Sequence, residues 1–269
     1  MNENNFLPGD ASNLGDSKNE TGDNAGSGKN PLPHPDTDKP SSAPGAAIYG
    51  KALLAIYDFY VLGISNTFIW RCKTRKMLDL YNKNISAKHM DIGVGTGYYL
   101  DKCKFSSATP AITLGDLNIN CLEKVSRRIE RYYPATVLMD VFDTKTYPAT
   151  RFDSLGINYL IHCLSCPFEE KLKIFSSMRP LLREGGVLFG STILGDAAPH
   201  NLVGRFLMKA YNRKQIFSNR EDNVDGLKAA LLRSFGNCEI EVCGCVALFS
   251  ARVISDAPPA RPDFQGDFK

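Results

Sequence analysis

Seven residues, Asp91-Ile92-Gly93-Val94-Gly95-Thr96-Gly97, carry the strongest chemical signal in the chain. Glycines at alternate positions strip side chains from a short turn, so the main chain can press close to a flat or extended ligand. Their amides, at the start of a helix, favour polar or anionic groups. Two carboxylates follow, Asp116 and Asp140. A carboxylate at Asp116 can accept hydrogen bonds from both hydroxyls of a ribose; it also suits a helix N-terminus, where the dipole favours negative charge. Asp140, with Asp143 nearby, fits a turn as well as a binding site. Further on, Asn158-Tyr159-Leu160-Ile161-His162 sets an amide, a phenol and an imidazole close together. His162, with an ordinary pKa of about 6.5, suits a general base at neutral pH; a histidine that fills space or caps a helix is the competing reading.

The glycine spacing restricts the ligand. A dinucleotide fingerprint has the pattern G-x-G-x-x-G, whereas Tyr98 stands where its third glycine would fall. Arg71 could meet a ligand carboxylate as a bidentate donor, or be a solvated arginine beside Lys73 and Arg75. Tyr49, Tyr57, Tyr60 and Phe68 could line an apolar pocket, or simply be core. Of the eight cysteines only Cys163 and Cys166 have C-x-x-C spacing, and no second pair completes a zinc set. Free thiols in a reducing cytosol are expected, and no metal.

These residues need elements to place them. Lys88–Ile92 reads as a strand running into the glycine turn, with a helix starting at Tyr98 and extending to Phe105. Ala111–Asp116 is a second strand, and Asn118 can cap a helix over Ile119–Tyr132. Thr136–Met139, Phe152–Ile157 and Val187–Leu194 are further strands. Between the last two, Pro167, Glu169 and Glu170 open a helix with a stripe of Phe168, Leu172, Phe175, Met178 and Leu182, which Gly185-Gly186 should stop. A helix over Val224–Ser234 precedes two strands, Glu239–Cys243 and Cys245–Ile254, close enough to form a hairpin. Alternating strands and helices predict an α/β fold whose mostly parallel sheet has one antiparallel strand and helices on both faces.

The remaining segments look different. Residues 1–44 are rich in Asn, Asp, Gly, Ser and Pro, carry a net charge of −4, and predict a disordered tail. Residues 45–86 predict a helical cap, residues 87–256 the main domain and residues 257–269 a C-terminal tail. The body beyond residue 44 carries a net charge of +7 and the whole chain +3, too little to point to nucleic acid. Met1–Asp10 lacks the features of a secretory signal. Asp58, Ser65, Asn66 and Thr67 interrupt the apolar stretch Ala52–Trp70, so no membrane span is expected. A cytoplasmic location is the expectation.

The acidic residue followed by x-G-x-G-x-G resembles the motif of class I S-adenosylmethionine-dependent methyltransferases. The resemblance spans roughly residues 46–254. It is closest to small-molecule methyltransferases of fungal and bacterial secondary metabolism, in which a helical opening like Ile56-Tyr57-Asp58 through Phe68-Ile69-Trp70-Arg71-Cys72 precedes the glycine turn. It implies a Rossmann-like seven-stranded sheet and S-adenosylmethionine as cofactor. Asp91, Gly93, Gly95, Gly97, Asp116, Leu117, Asp140, Val141 and Asn158 would contact it. Asp116 would hold the ribose, Leu117 pack on the adenine and Asp140 accept from the adenine amino group. His162 would act at the acceptor, with Tyr57, Tyr60 and Tyr159 binding it. The acceptor implied is a small molecule, a polyketide-like enol or phenol methylated on oxygen; a homo-oligomer stays open. Asn158-Tyr159 lacks the prolines of an N-P-P-Y motif, which argues against nucleic-acid bases. A nicotinamide oxidoreductase, a non-catalytic relative and a protein or RNA methyltransferase are the alternatives.

Overall fold

The computed structural model describes residues 65–254. The expected tails, the first part of the cap, and Tyr49, Tyr57 and Tyr60 lie outside the described residues.

A seven-stranded sheet organises the described chain, in the order β3-β2-β1-β4-β5-β7-β6. The strands are β1 Lys88–Ile92, β2 Ala111–Asp116, β3 Ala135–Leu138, β4 Phe152–Asn158, β5 Leu182–Ile193, β6 Glu239–Cys243 and β7 Val246–Arg252. Neighbours from β3 to β5 pair in parallel. β7 runs antiparallel to both β5 and β6 and is the single reversed strand. The order turns around between β1 and β4, and a crevice opens beyond their carboxyl ends at such a switch point. The glycine turn follows β1 directly, so it sits at that crevice.

Helices cover both faces. They are α1 Thr74–Asn84, α2 Tyr98–Lys102, α3 Ile119–Arg128, α4 Phe168–Leu172, α5 Ile174–Met178, α6 Leu202–Arg213 and α7 Val224–Phe235. Side chains alternate across a strand, so successive residues of β5 feed opposite layers. Val187 and Phe189 pack with Met77, Tyr81 and Leu122 on one face. Leu188 packs with Phe175, Met178 and Leu231 on the other. Each such buried side chain contributes about 1.5–3 kcal/mol. Burial on both faces explains why the strands read as apolar runs rather than strict alternation. Asn118 caps α3 as expected, its side chain accepting from the Asn120 amide. Among the described residues no helix is long and apolar enough to cross a membrane.

Four local expectations change. The helix expected after Pro167 is broken at Lys173 into α4 and α5 and ends in a 3-10 turn at Arg179–Leu181, where Pro180 lacks an amide hydrogen and cannot continue the α pattern. Gly185-Gly186 do not end a helix but lie inside β5, where register slips between Phe152 and Ser154 of β4 and Gly185 takes a φ of 73°. The extra residues make a bulge, and glycine supplies its left-handed turn. The cap is interrupted after a short π turn at residues 65–69. There the Trp70 carbonyl accepts the Cys245 amide and Arg71 adopts a φ of 57°. Finally, α6 has no counterpart in the sequence reading, because its Leu202, Val203 and Phe206 face outward and Gly204 interrupts the pattern.

Candidate active site

The glycine turn is built by packing on two sides and openness on a third. Gly93, Gly95 and Gly97 have φ of 71°, 54° and 73°, values that L side chains resist. A Cβ on Gly93 would lie 2.9 Å from Leu160 Cδ1, and one on Gly97 only 2.6 Å from Val125 Cγ1. A Cβ on Gly95 would meet nothing within 4 Å. The outer glycines therefore seat the turn against β4's exit and α3, while the middle one presents bare main chain to open space.

Asp91 lies under this turn. Its side chain is 4% exposed and accepts a hydrogen bond from Tyr81 Oη at 2.9 Å. His89 Nε2 is 3.9 Å from the same carboxyl oxygen, and His89 Nδ1 is 2.8 Å from Ser154 Oγ. Gly156 makes room for the cluster, since a Cβ there would lie 2.4 Å from Asp91 Oδ1. Burial pushes Asp91 up to about 8, against the Tyr81 hydrogen bond and with help from Asp116's charge. Burial holds the His89 imidazole down to about 3. A neutral acid, a phenol and a neutral imidazole together avoid placing net charge in the interior.

Asp116 ends β2 on the opposite side of the turn. It accepts the Asn118 amide at 2.8 Å. Burial raises its carboxyl to about 6, opposed by the main-chain amides of Asn118, Val94, Gly95 and Leu117. The carboxylate thus faces the same turn that Gly95 leaves bare. Asp140 follows β3 and accepts the Phe142 amide at 3.0 Å in a tight turn. Val141 beside it is buried, and its carbonyl accepts Tyr147 Oη at 2.6 Å. Leu117 is half-buried at the end of β2.

At the end of β4, Asn158 accepts a hydrogen bond from Ser191 Oγ. Tyr159 carries a φ of 57°, rare for a bulky residue and kept only where the surroundings hold it. Its amide donates to Ser191 O at 2.8 Å, and its hydroxyl donates to Asn66 Oδ1 at 2.9 Å. Asn66 is fully buried and also donates to Thr74 Oγ1. These bonds draw the π turn onto the end of β4. His162 is 2% exposed. Its ring stands edge-on to Tyr159, centroids 5.4 Å apart, and to Phe217, 4.6 Å apart. Burial, then the Lys171 charge, lower its pKa to about 3.

The fold thus gathers Asp91, the glycines, Asp116, Leu117, Asp140, Val141, Asn158, Tyr159 and His162 along the carboxyl ends of β1 to β4. Arg71, considered for a ligand carboxylate, donates instead to the Pro199 carbonyl. Sequence reasoning missed Tyr81, His89, Asn66, Thr192 and Phe217, which hold the site from behind. Asn66, a polar residue inside an apolar stretch, was the one detectable signal; the others are ordinary residues until packing brings them together.

No protein-family model matches the chain. Its curated relatives include a demethylluteothin O-methyltransferase from Streptomyces thioluteus. That enzyme is 36% identical over 207 residues, covering 77% of this chain and 90% of the relative. A physcion biosynthesis cluster O-methyltransferase from Aspergillus chevalieri is 37% identical over 209 residues, covering 77% and 94%. Methyltransferase aurB from Calcarisporium arbuscula is 35% identical over 216 residues, covering 76% and 94%. Among solved structures, an O-methyltransferase family protein from Burkholderia thailandensis superposes with a TM-score of 0.52 at 13% identity, over 68% of this chain and 57% of that one. A DhpI complex gives 0.51 at 16% identity, over 76% and 92%. These structures share the fold; the sequence relatives share the family. With more than a third of positions identical across nearly the whole length of bacterial and fungal enzymes, the chain belongs to the class I methyltransferases, among the small O-methyltransferases of secondary metabolism.

Proposed function

We propose that the protein transfers a methyl group from S-adenosylmethionine to an oxygen of a small enol or phenol. One observation carries the reading: a carboxylate and a bare, left-handed glycine turn face each other at the sheet's switch point. A nucleoside fits that arrangement, since the space over Gly95 is open and Asp116 is held ready by main-chain amides. In this reading Asp116 accepts from the ribose hydroxyls and Asp140 from the adenine amino group. Leu117 and Val141 flank the ring. Asp91 acts from beneath, bracing the turn through Tyr81 rather than exposing its carboxyl. Asn158 and Tyr159 mark the end of the crevice where an acceptor would meet the cofactor; Tyr57 and Tyr60 are proposed as further acceptor-binding residues.

When bound, the cofactor supplies a methyl group activated by a positive sulfonium. The residues of this chain supply alignment and exclusion of water, worth about 7–11 kcal/mol in favourable cases. The choice of oxygen as acceptor atom rests on relatives that carry O-methyltransferase names, among them those from Streptomyces thioluteus and Aspergillus chevalieri. Incubating the protein with methyl-labelled S-adenosylmethionine and a panel of enols, phenols, amines and thiols tests it. Label is expected on enol or phenol oxygen; transfer to nitrogen alone would overturn the proposal.

A pH dependence follows. Asp116 must be ionised to receive both ribose hydroxyls well. Its pKa of about 6 is raised, so affinity is full above that value and is lost as pH falls through it. Asp91, at about 8, stays mostly protonated over pH 5–7 and adds little. Calorimetry with S-adenosylhomocysteine should give binding about tenfold weaker at pH 5 than at pH 7. Equal affinity at both would count against the Asp116 assignment.

A further inference from the structure

The surroundings of His162 say what it can do to an acceptor. The main-chain amide of Ile193 donates to His162 Nδ1 at 3.3 Å. Thr192 Oγ1 lies 3.4 Å from the same nitrogen. An amide hydrogen pointed at Nδ1 requires a lone pair there. Neutral imidazole has one N–H, which must then sit on Nε2. The other tautomer would set two N–H groups against each other, and Ile193 cannot turn away because its position is paired with Val246 of β7. Burial and the Lys171 charge also disfavour a second proton on the ring. Lys171 Nζ from α4 is fully buried and bonded to both oxygens of Asp222, at 2.9 and 3.1 Å. Cys163, Thr192, Tyr159 and Phe217 complete the surroundings without adding a carboxylate.

We infer that His162 serves the acceptor as a hydrogen-bond donor through Nε2–H rather than as the base that deprotonates it. The preferred acceptor is therefore an enol or phenol acidic enough to arrive already ionised. This deepens the O-methyltransferase reading and rests on it. The balance is simple. The acceptor's proton goes to solvent before binding. A lone pair on the resulting oxyanion forms the new O–C bond, and the pair of the broken S–C bond stays on sulfur. No proton remains to be moved within the site, and the Nε2–H steadies the oxygen until it is methylated.

Two measurements test this, the first without turnover. The chain has four histidines, so long-range ¹⁵N–¹H correlations on ¹⁵N-histidine-labelled full-length protein can resolve each tautomer. With S-adenosylhomocysteine bound, His162 is expected to be neutral and Nε2-protonated throughout pH 6–8. An Nδ1–H tautomer, or titration within that range, overturns the inference. The second uses single-turnover methylation of acceptors of graded acidity. The rate should follow the ionised fraction of the acceptor. His162→Gln, whose amide can donate from near the Nε2 position, should stay within about tenfold of the parent, while a lost general base costs about 10²–10⁴-fold. A loss of that larger size at unchanged S-adenosylhomocysteine affinity overturns the inference. If no enol or phenol is methylated although S-adenosylhomocysteine binds, the acceptor class falls by itself, and the spectrum still decides the role of His162.

Discussion

Asp116→Ala should lower affinity for S-adenosylmethionine by about 10²–10⁴-fold while leaving a folded protein. The size follows from what would be lost. Hydrogen bonds to a charged partner contribute about 1.5–3 kcal/mol each, and two ribose hydroxyls would be left without theirs. Each 1.4 kcal/mol is about tenfold in binding. The structural duties of the side chain are smaller. Its bond from the Asn118 amide at 2.8 Å is replaceable by water, and Asn118 caps α3 with its own side chain. Calorimetric titration with S-adenosylhomocysteine, beside a denaturant melt, separates the two effects. Unchanged affinity in a folded variant would remove the ribose assignment and the pH dependence derived from it. Asp116→Asn should fall between parent and alanine, because it keeps an acceptor oxygen but not the charge.

The largest effect on stability is expected at the buried ion pair. Lys171→Met should destabilise the protein by about 3–5 kcal/mol, the usual result of stripping one partner from a buried pair. The side chains of Lys171 and Asp222 are 0% and 1% exposed. Lys171 Nζ also donates to the Ser218 carbonyl, while the Asp222 carbonyl accepts the Gly195 amide at 2.7 Å. The pair therefore ties α4, the connector between α6 and α7, and the exit of β5 into one unit. Removing Lys171 alone leaves Asp222 buried and uncompensated. Replacing both, as Lys171→Met with Asp222→Leu, should recover most of the loss, because two well-packed apolar groups avoid the desolvation cost of two charges. Denaturant midpoints for the two singles and the double close the cycle. A loss below about 1 kcal/mol in the single variant, the level of an exposed pair, would show that water reaches the pair. Since Ser218 donates its amide to the His162 carbonyl at 2.9 Å, the same variant should also slow turnover more than it weakens cofactor binding.

Much of the frame was legible in the sequence because its causes are local. β1 at Lys88–Ile92, β2 at Ala111–Asp116 and β6 at Glu239–Cys243 have the expected bounds. Alternating or continuous apolar residues, a turn of glycines and an Asn cap each act within a few positions. The reversed strand β7 followed from the short link at Gly244, which leaves no room for a crossover helix. What failed locally had distant causes. The helix after Pro167 broke at Lys173 and ended at the 3-10 turn holding Pro180, but the extension of β5 back to Leu182 needed β4 and β7 as partners. Helix α6 hid because Leu202, Val203 and Phe206 in its first turns point outward.

The order of the proposed binding stations was likewise set by the chain itself: glycine turn, Asp116, Asp140, Asn158 to His162, each at or just past the end of a strand. Their states were not. The Asp91 carboxyl is pushed up to about 8 by burial beside Tyr81 and the space at Gly156, both distant from it in sequence. His162 looked like a base because free imidazole titrates near neutrality; its actual setting depends on an amide of β5 and on a lysine–aspartate pair that spans 51 residues. Residue type and spacing decide which groups can reach a ligand. Only the fold decides how far each is desolvated and which of its hydrogen bonds are already taken, because those terms come from residues that sequence order keeps apart.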